Sequence, residues 1–236
     1  MAEMFESIEL SQIGDRVADS DFDVLEIKYF SNIEYYQSLI EKILIHYKLQ
    51  YKDGYAGYKG IGLQYFDEKN KLYDVVNQVS YLDANGKIIY TKDKIVNYTK
   101  KNEIGVLFED FFSFFRKEIE LRRGRILIAE PGFCMKPHTD GASTGTLHYA
   151  VKTNQQSHVY IEGRKYHIPE SGKFYLVNTA KNHWIENQSK MDRVHITFPL
   201  NPLCFKSITR RQYEKMKDYF IQLNLDVNAI QDRISD

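Results

Sequence analysis

The chain has 236 residues, a hydrophobic fraction of 43%, and 32 Lys plus Arg against 32 Asp plus Glu, so its formal net charge is zero. That length suits one large domain or two small ones with a core of ordinary size, and the balanced charge argues against nucleic acid as a partner, because a phosphate-backbone binder carries a basic excess. No apolar run approaches the ~18 residues of a membrane span, the start MAEMFESIEL lacks the pattern of a secretory signal, and Cys134 and Cys204 form no CxxC motif; a cytoplasmic protein with no disulfide framework is expected.

Ser31-Asn-Ile-Glu34 has the capping-box pattern, and Ile33, Tyr36, Ile40, Ile43, Leu44 and Tyr47 follow at helical spacing. The spacing predicts an amphipathic helix over 31–49. Residues 51–66 hold four glycines and four tyrosines without a helical period and read as a loop with one strand. Residues 75–82 and 87–90 flank an Asn-Gly turn signal at Asn85-Gly86, a hairpin pattern. Ile104, Leu107, Phe108, Phe111, Phe115 and Ile119 predict a second amphipathic helix ending near Arg122-Arg-Gly124.

From there the character changes. All five prolines lie after residue 130, and six of the seven histidines lie between His138 and His195. Residues 125–130, 146–151, 158–163, 166–169, 174–178, 184–187 and 193–199 read as short strands, with a turn at Gly163-Arg-Lys165. Many short strands with Gly and Pro turns suggest a sandwich or barrel. A last helix starts at the Thr209-x-x-Gln212 capping box and carries Tyr213, Met216, Phe220 and Leu223 on one face. No linker and no internal repeat divides the chain. It reads as a single domain over 1–236: a helical and mixed part over 1–119, a β core over 120–200, and a C-terminal helix over 201–236.

The chemistry concentrates in the β core. In Pro137-His138-Thr139-Asp140 the His and Asp stand two apart, which on a strand points both to one face. Asn182-His183-Trp184 supplies another His just before a strand. Two His and one carboxylate on a β scaffold make a facial triad that holds iron(II) with positions left open for a co-substrate and dioxygen. Taken alone, HxD also suits a turn His beside an N-capping Asp. Ten residues past His183 lies Arg193, whose guanidinium fork matches a carboxylate if it faces the same cavity.

HxD, a distal His and an Arg ten residues beyond it resemble the iron(II)/2-oxoglutarate dioxygenase pattern. The stretches GRILIAEPGFCMKPHTD, GTLHYAVKTN and GKFYLVNTAKNHWIENQSKMDRVHITFP resemble, more narrowly, the aspartyl/asparaginyl β-hydroxylase family over roughly residues 120–200. The resemblance implies an α+β fold with a double-stranded β-helix (jelly-roll, cupin-like) core and flanking helices. It implies iron(II) held by His138, Asp140 and His183, with 2-oxoglutarate and dioxygen as co-substrates. Arg193 would bind the distal carboxylate of 2-oxoglutarate, and His148 would help to hold the co-substrate. The family often carries Arg two residues before that His, where this chain has Thr146. Some members lack the acidic ligand that Asp140 supplies.

The implied reaction hydroxylates a C–H bond of an amino acid, free or in a peptide, and yields succinate and carbon dioxide. Oxidation of a nucleobase or small metabolite, and a non-catalytic metal-binding β-barrel, are the alternatives. His195 shares a strand face with Arg193, and support of the site or substrate contact are both open to it. Asn178 and Thr146 are further candidates for the surroundings of the site; for Asn178 a structural turn role competes. His148 also fits an ordinary strand His. His46, His158 and His167 read as solvated or structural, and Cys134 as a small apolar filler. Lys and Tyr interleave at 47–59 in a way that could stack on nucleic acid, against which the zero net charge weighs. The 51–66 stretch is where a substrate lid is expected.

Overall fold

In the strands after residue 125, apolar side chains alternate with polar or small ones, so each strand presents two different faces. A computed structural model describes residues 5–52, 55–66, 68–73, 76, 80–82, 88–90, 98–141, 144–222 and 233–235. The first half holds β1 (Glu6–Ile8), α1 (Ile13–Asp19), β2 (Val24–Ile27), α2 (Ile33–His46), β3 (Gln50–Tyr51), β4 (Tyr58–Gly62), β5 (Gln64–Tyr65), β6 (Ser80–Leu82), β7 (Ile88–Tyr90), β8 (Lys100–Lys101) and α3 (Glu109–Phe115). The core strands are β9 (Arg125–Ala129), β10 (Gly145–Lys152), β11 (Ser157–Ile161), β12 (Arg164–Tyr166), β13 (Phe174–Val177), β14 (His183–Asn187) and β15 (Arg193–Leu200). The chain closes with β16 (Ile208–Thr209), α4 (Arg210–Gln222) and β17 (Ile234–Ser235).

The larger sheet has the order β1-β2-β13-β10-β15-β9-β4-β3, and the smaller β12-β11-β14. Residues 134–138 run beside β14 through antiparallel bridges from Cys134 to Glu186 and from His138 to His183. Along the chain from β9, successive segments therefore alternate between the sheets: larger, smaller (134–138), larger (β10), smaller (β11 and β12), larger (β13), smaller (β14), larger (β15). That alternation is the expected double-stranded β-helix.

The outer face of the larger sheet carries Leu147, Tyr149, Phe174, Leu176, Ile196 and Phe198, buried in one cluster with Tyr36, Ile40 and Ile43 of α2 and with the α3 aromatics. Phe111 sits at its centre, with ring centroids 4.4 Å from Tyr36, 4.8 Å from Tyr149 and 4.8 Å from Phe174. The inner face carries Arg125, Leu127, Thr146, His148, Ala150, Arg193, His195 and Thr197, the alternate residues of the same strands. Apolar contacts between Leu127, Met135 and Ile185, and between Ala150, Val159 and Val177, join the two sheets.

Several local expectations are corrected. The helix expected over 31–49 spans Ile33–His46, and its N-cap is Asn32, whose side chain accepts from the Tyr35 N–H. Ser31 is drawn into tertiary bonds instead, its hydroxyl donating to Gly172 O and pairing with the Tyr149 hydroxyl. The second helix is much shorter than 104–121. Asn102 Oδ1 accepts from Ile104 and Gly105, a 3-10 turn follows over Gly105–Phe108, and α3 stops at Phe115.

The 51–66 stretch is not a loop with one strand: β4 pairs with β9 inside the larger sheet, β3 extends it, and β5 pairs with β8. The turn placed at Gly163-Arg-Lys165 lies one residue earlier, because Glu162 and Gly163 both take positive φ (49° and 78°), and β12 starts at Arg164. That pair of positive φ values is what a two-residue hairpin turn requires. β6 and β7 pair as the hairpin reading expects, with residues 83–87 of the turn outside the described residues. The Thr209–Gln212 box forms reciprocally, each backbone N–H meeting the other side chain; Leu223 and the Phe220 side chain lie outside the described set.

Phe111 is fully buried among five aromatic rings. Phe111→Ala is expected to cost ~3–5 kcal/mol of stability, the range for deleting a buried Phe side chain, with the loss read from the urea midpoint. A shift worth under ~1 kcal/mol would contradict the packing described.

Candidate metal centre

His138 and His183 come from distant parts of the chain but are direct cross-strand neighbours. Each backbone N–H donates to the other residue's carbonyl, at 3.0 and 2.8 Å, which makes them a closely bonded antiparallel pair. Their rings lie 4.4 Å apart. The same local device orients both imidazoles: His138 Nδ1 lies 2.9 Å from Lys136 O, and His183 Nδ1 lies 3.0 Å from Lys181 O. A carbonyl can only accept, so each Nδ1 donates its proton there and each Nε2 is the nitrogen turned toward Asp140. Asp140 is held by its N–H bond to Thr179 O, at 2.9 Å. Its oxygens lie 3.5 Å from His138 Nε2 and 3.9 Å from His183 Nε2. One ligand atom from each of the three residues lies within 4.8 Å of the others.

Electrostatics fit the same reading. Burial would raise the Asp140 pKa, but the His138 hydrogen bond and the charges of His183 and Lys52 more than offset it and hold the carboxyl well below the usual range. His183 is pushed down, chiefly by burial. The hydrogen bond to Asp140 pushes His138 up. An ionised carboxylate with two imidazole Nε2 atoms is the donor set for a divalent ion of intermediate softness, iron(II) among them.

The cavity beside this cluster is lined by Lys52, Tyr58 and Arg125, by Thr146, His148, Thr179 and Thr197, and by the apolar Leu127, Met135, Val159, Val177 and Ile185. Arg193 and His195 lie behind the lining on the same face of β15 as Thr197. The Arg193 guanidinium is 2% exposed and meets no carboxylate among the described residues. It donates to His195 Nδ1 at 3.1 Å, and His148 Nδ1 lies 3.3 Å from that same atom. His195 Nδ1 must accept from the guanidinium, so its own proton sits on Nε2, and Nε2 has no partner. Burial pulls the Arg193 pKa to about 10.

A family model described as aspartyl/asparaginyl β-hydroxylase matches residues 80–201, more than half of the chain. The chain belongs to the aspartyl/asparaginyl β-hydroxylase family. It is therefore a hydroxylase of the iron(II)- and 2-oxoglutarate-dependent oxygenase class. Similar solved structures include an oxidoreductase of the 2OG-Fe(II) oxygenase family from Burkholderia pseudomallei, at 9% identity over 84% of this chain and 94% of that one, with TM-score 0.46. A prolyl-4-hydroxylase of Pseudomonas putida is 10% identical over 80% and 98% of the two chains, with TM-score 0.44. A prolyl hydroxylase of Trichoplax adhaerens, solved with a hypoxia inducible factor peptide fragment, is 11% identical over 80% and 89%, with TM-score 0.48. No curated protein matches the chain. Among the described residues, no helix of this hydroxylase is long and apolar enough to cross a membrane.

The structure brings His138, Asp140, His183, His148 and Thr146 to one cavity and sets Arg193 and His195 behind it. Arg193, on the same inner face, is not among the residues that line the cavity, and its guanidinium meets the His195 ring. Thr146 pairs its hydroxyl with Thr179 at 3.2 Å. Asn178 is not at the cavity: its amide donates to Ser20 and Phe22, tying β13 to the chain before β2. Cys134 is exposed rather than an apolar filler, and its neighbours Phe133 and Met135 take the buried positions.

Two described residues of the 51–66 stretch, Lys52 and Tyr58, belong to the cavity wall. Tyr58 is buried and stacks on Phe133 at 5.0 Å, and Lys59 pairs with Glu130. The sequence reading does not single out Lys52, Tyr58 or Arg125 as lining residues. For Arg125 the period-2 register with Leu127 and Ala129 was the available signal. Asn187 is also absent from it, a fully buried side chain whose amide donates to Ala129, Glu130 and Met191 carbonyls and so fixes the turn that leads into Arg193.

Burial holds His148 and His195 well below the usual imidazole pKa. An unfolded imidazole takes up a proton near pH 6.5 and the folded one does not, so their stabilising contribution is complete above that pH and is lost as pH falls below it. The slope is up to ~1.4 kcal/mol per pH unit for each group. Urea unfolding between pH 7.5 and 5.5 is expected to show a shallower acid loss in His148→Gln than in the wild type. Equal slopes would place the His148 ring in water.

Proposed function

We propose that this hydroxylase holds iron(II) through His138 Nε2, His183 Nε2 and an Asp140 oxygen, anchors the distal carboxylate of 2-oxoglutarate on Arg193, and hydroxylates a C–H bond of an amino acid, free or within a peptide. One observation carries the reading most: a buried guanidinium without a carboxylate partner among the described residues lies on the inner face of the larger sheet, in the same fold as a two-His, one-carboxylate cluster. A buried charge is costly unless paired, and the dianionic co-substrate supplies the pair.

When bound, iron(II) and 2-oxoglutarate supply the oxidising chemistry, in which dioxygen is divided between succinate and the new hydroxyl group. The chain's own residues do the rest. The carbonyls of Lys136 and Lys181 keep the two Nδ1 protons in place, so each ring would offer Nε2, not Nδ1, to the metal. Asp140 stays ionised across the working pH range, which keeps its charge available to the metal. His195 accepts from Arg193 and so sets the plane of the guanidinium. Leu127, Met135, Val159, Val177 and Ile185 keep the cavity wall apolar, which limits side reactions with water.

Calorimetric titration of the anaerobic protein tests the assignment. The wild type is expected to bind one manganese ion, used in place of iron, and then 2-oxoglutarate. His183→Ala is expected to lose the metal. Arg193→Ala is expected to keep the metal and lose 2-oxoglutarate affinity by about a hundred- to several-thousand-fold, the consequence of leaving one partner of a buried charge pair alone. Arg193→Lys should recover part of the loss, because an ammonium keeps the charge and loses the fork. Unchanged metal content in His183→Ala, or equal 2-oxoglutarate affinity in all Arg193 variants, would overturn the proposal.

A further inference from the structure

Arg125 opens β9 opposite Thr197 of β15, and Thr197 in turn lies opposite His148 of β10, so the three side chains form one row across the inner face of the larger sheet. Two atoms in that row are buried without a partner: Arg125 Nε and Thr197 Oγ1. Buried polar atoms are nearly always paired, and each exception calls for a cause. Lys52 faces the same cavity from beyond β3. Its ammonium lies over two aromatic rings, 5.1 Å from the Tyr55 centroid and 5.7 Å from that of Tyr58. Among the described residues no carboxylate forms an ion pair with either cation, and Asp140 is the single carboxylate lining the cavity.

We propose that Arg125 and Lys52 form a second carboxylate-binding site, in the cavity that His138, Asp140 and His183 also line and separate from Arg193. The guanidinium fork takes a carboxylate in two parallel bonds, and the Thr197 hydroxyl beside it adds a third donor. Arg16 and Arg123 also leave a buried Nε without a hydrogen bond, but of the three only Arg125 lines this cavity. The separation from Arg193 follows from the register. Arg125 pairs with Thr197, four residues along β15 from Arg193, a distance of ~13 Å at ~3.3 Å per residue. One carboxylate cannot serve both. Charge counting points the same way: Lys52 and Arg125 already exceed the charge of Asp140, and a divalent metal widens the excess. Burial and the Arg125 charge draw the Lys52 pKa down to about 8, as expected for a cation awaiting an anion.

The site rests on the reading of the cavity given above. Two carboxylates meet its chemistry: the 2-oxo-acid end of the co-substrate, and the side-chain carboxylate of an acidic amino-acid substrate. Titrations of the anaerobic, manganese-loaded full chain separate them. The probes are 2-oxoglutarate, 2-oxopentanoate (which keeps the oxo-acid end and lacks the distal carboxylate) and, on protein saturated with 2-oxoglutarate, N-acetyl-aspartate and N-acetyl-asparagine.

If the co-substrate supplies the carboxylate, Arg125→Gln weakens both 2-oxo acids by the same factor, about tenfold or more for a lost charge-assisted pair. If the substrate supplies it, both 2-oxo acids bind as in the wild type, and a preference for N-acetyl-aspartate over N-acetyl-asparagine is present in the wild type and absent from Arg125→Gln. Arg125→Lys should retain part of either effect. Lys52→Gln, at a half-buried position, gives the same pattern in weaker form and serves if Arg125→Gln does not fold. Four affinities unmoved in both Gln variants would overturn the site. Arg193→Ala in the same titrations keeps the two claims apart: a loss there with none in Arg125→Gln and Lys52→Gln removes only this site, whereas a wild type that binds no manganese removes the underlying reading.

Discussion

Every strand of the larger sheet has to satisfy two interiors at once. On β10 the sequence Thr-Leu-His-Tyr-Ala-Val sends Leu147, Tyr149 and Val151 to the helices and Thr146, His148 and Ala150 to the cavity. On β15 the sequence Arg-Val-His-Ile-Thr-Phe does the same with Val194, Ile196 and Phe198 on one side and Arg193, His195 and Thr197 on the other. A slip of one residue would put a guanidinium and two imidazoles among phenylalanines and expose the cavity to apolar side chains, so the register is strongly specified. The aromatic cluster of α2 and α3 therefore does more than stabilise the fold. By holding one face of β10, β13 and β15, it determines which side chains the other face can offer.

The polar face is held at a cost that the rest of the molecule offsets. Arg125 Nε, Thr197 Oγ1 and His195 Nε2 are buried without partners on neighbouring strands, and two histidines are kept neutral by burial. Unsatisfied groups of this kind each cost about 1–3 kcal/mol. A sheet selected for stability alone would have apolar residues there. The arrangement is intelligible as a cavity shaped for charged, hydrogen-bonding ligands. The His138–His183 pair shows the opposite economy: two reciprocal backbone bonds and two carbonyl anchors orient both rings without any further side chain.

Much of this was legible in the sequence because it rests on local alternation and punctuation. The strands from β9 to β15 stand out through period-2 patterning between Pro and Gly turns, and the His138, Asp140, His183 set through its spacing. What escaped depends on contacts distant in the chain. The residues of β4, Tyr-Lys-Gly-Ile-Gly, look like a loop because of their glycines. Gly60 is needed because a Cβ there would stand 2.6 Å from Ile126 O on the neighbouring strand, which no local pattern reveals. Helix α3 begins late because Asn102 binds the backbone ahead of it while its amide donates to Gly62 and Lys71. Arg125 was hidden inside an apolar run, since the face it points to is decided only when β9 is placed between β15 and β4. Ser31 had the right chemistry for a helix cap and was taken instead by Gly172 and Tyr149.

The central claim is that the smaller sheet carries a metal-binding triad and the larger sheet, across the interior, a carboxylate-binding arginine. A crystal soaked anaerobically with manganese and 2-oxoglutarate measures both at once, the metal through its anomalous difference map and the co-substrate through the ordinary difference density. The account predicts one strong peak ~2.0–2.3 Å from His138 Nε2, His183 Nε2 and an Asp140 oxygen, with the distal carboxylate of 2-oxoglutarate in a two-bond fork on Arg193. A peak bonded to other residues, or a co-substrate whose distal carboxylate points away from Arg193, would contradict it.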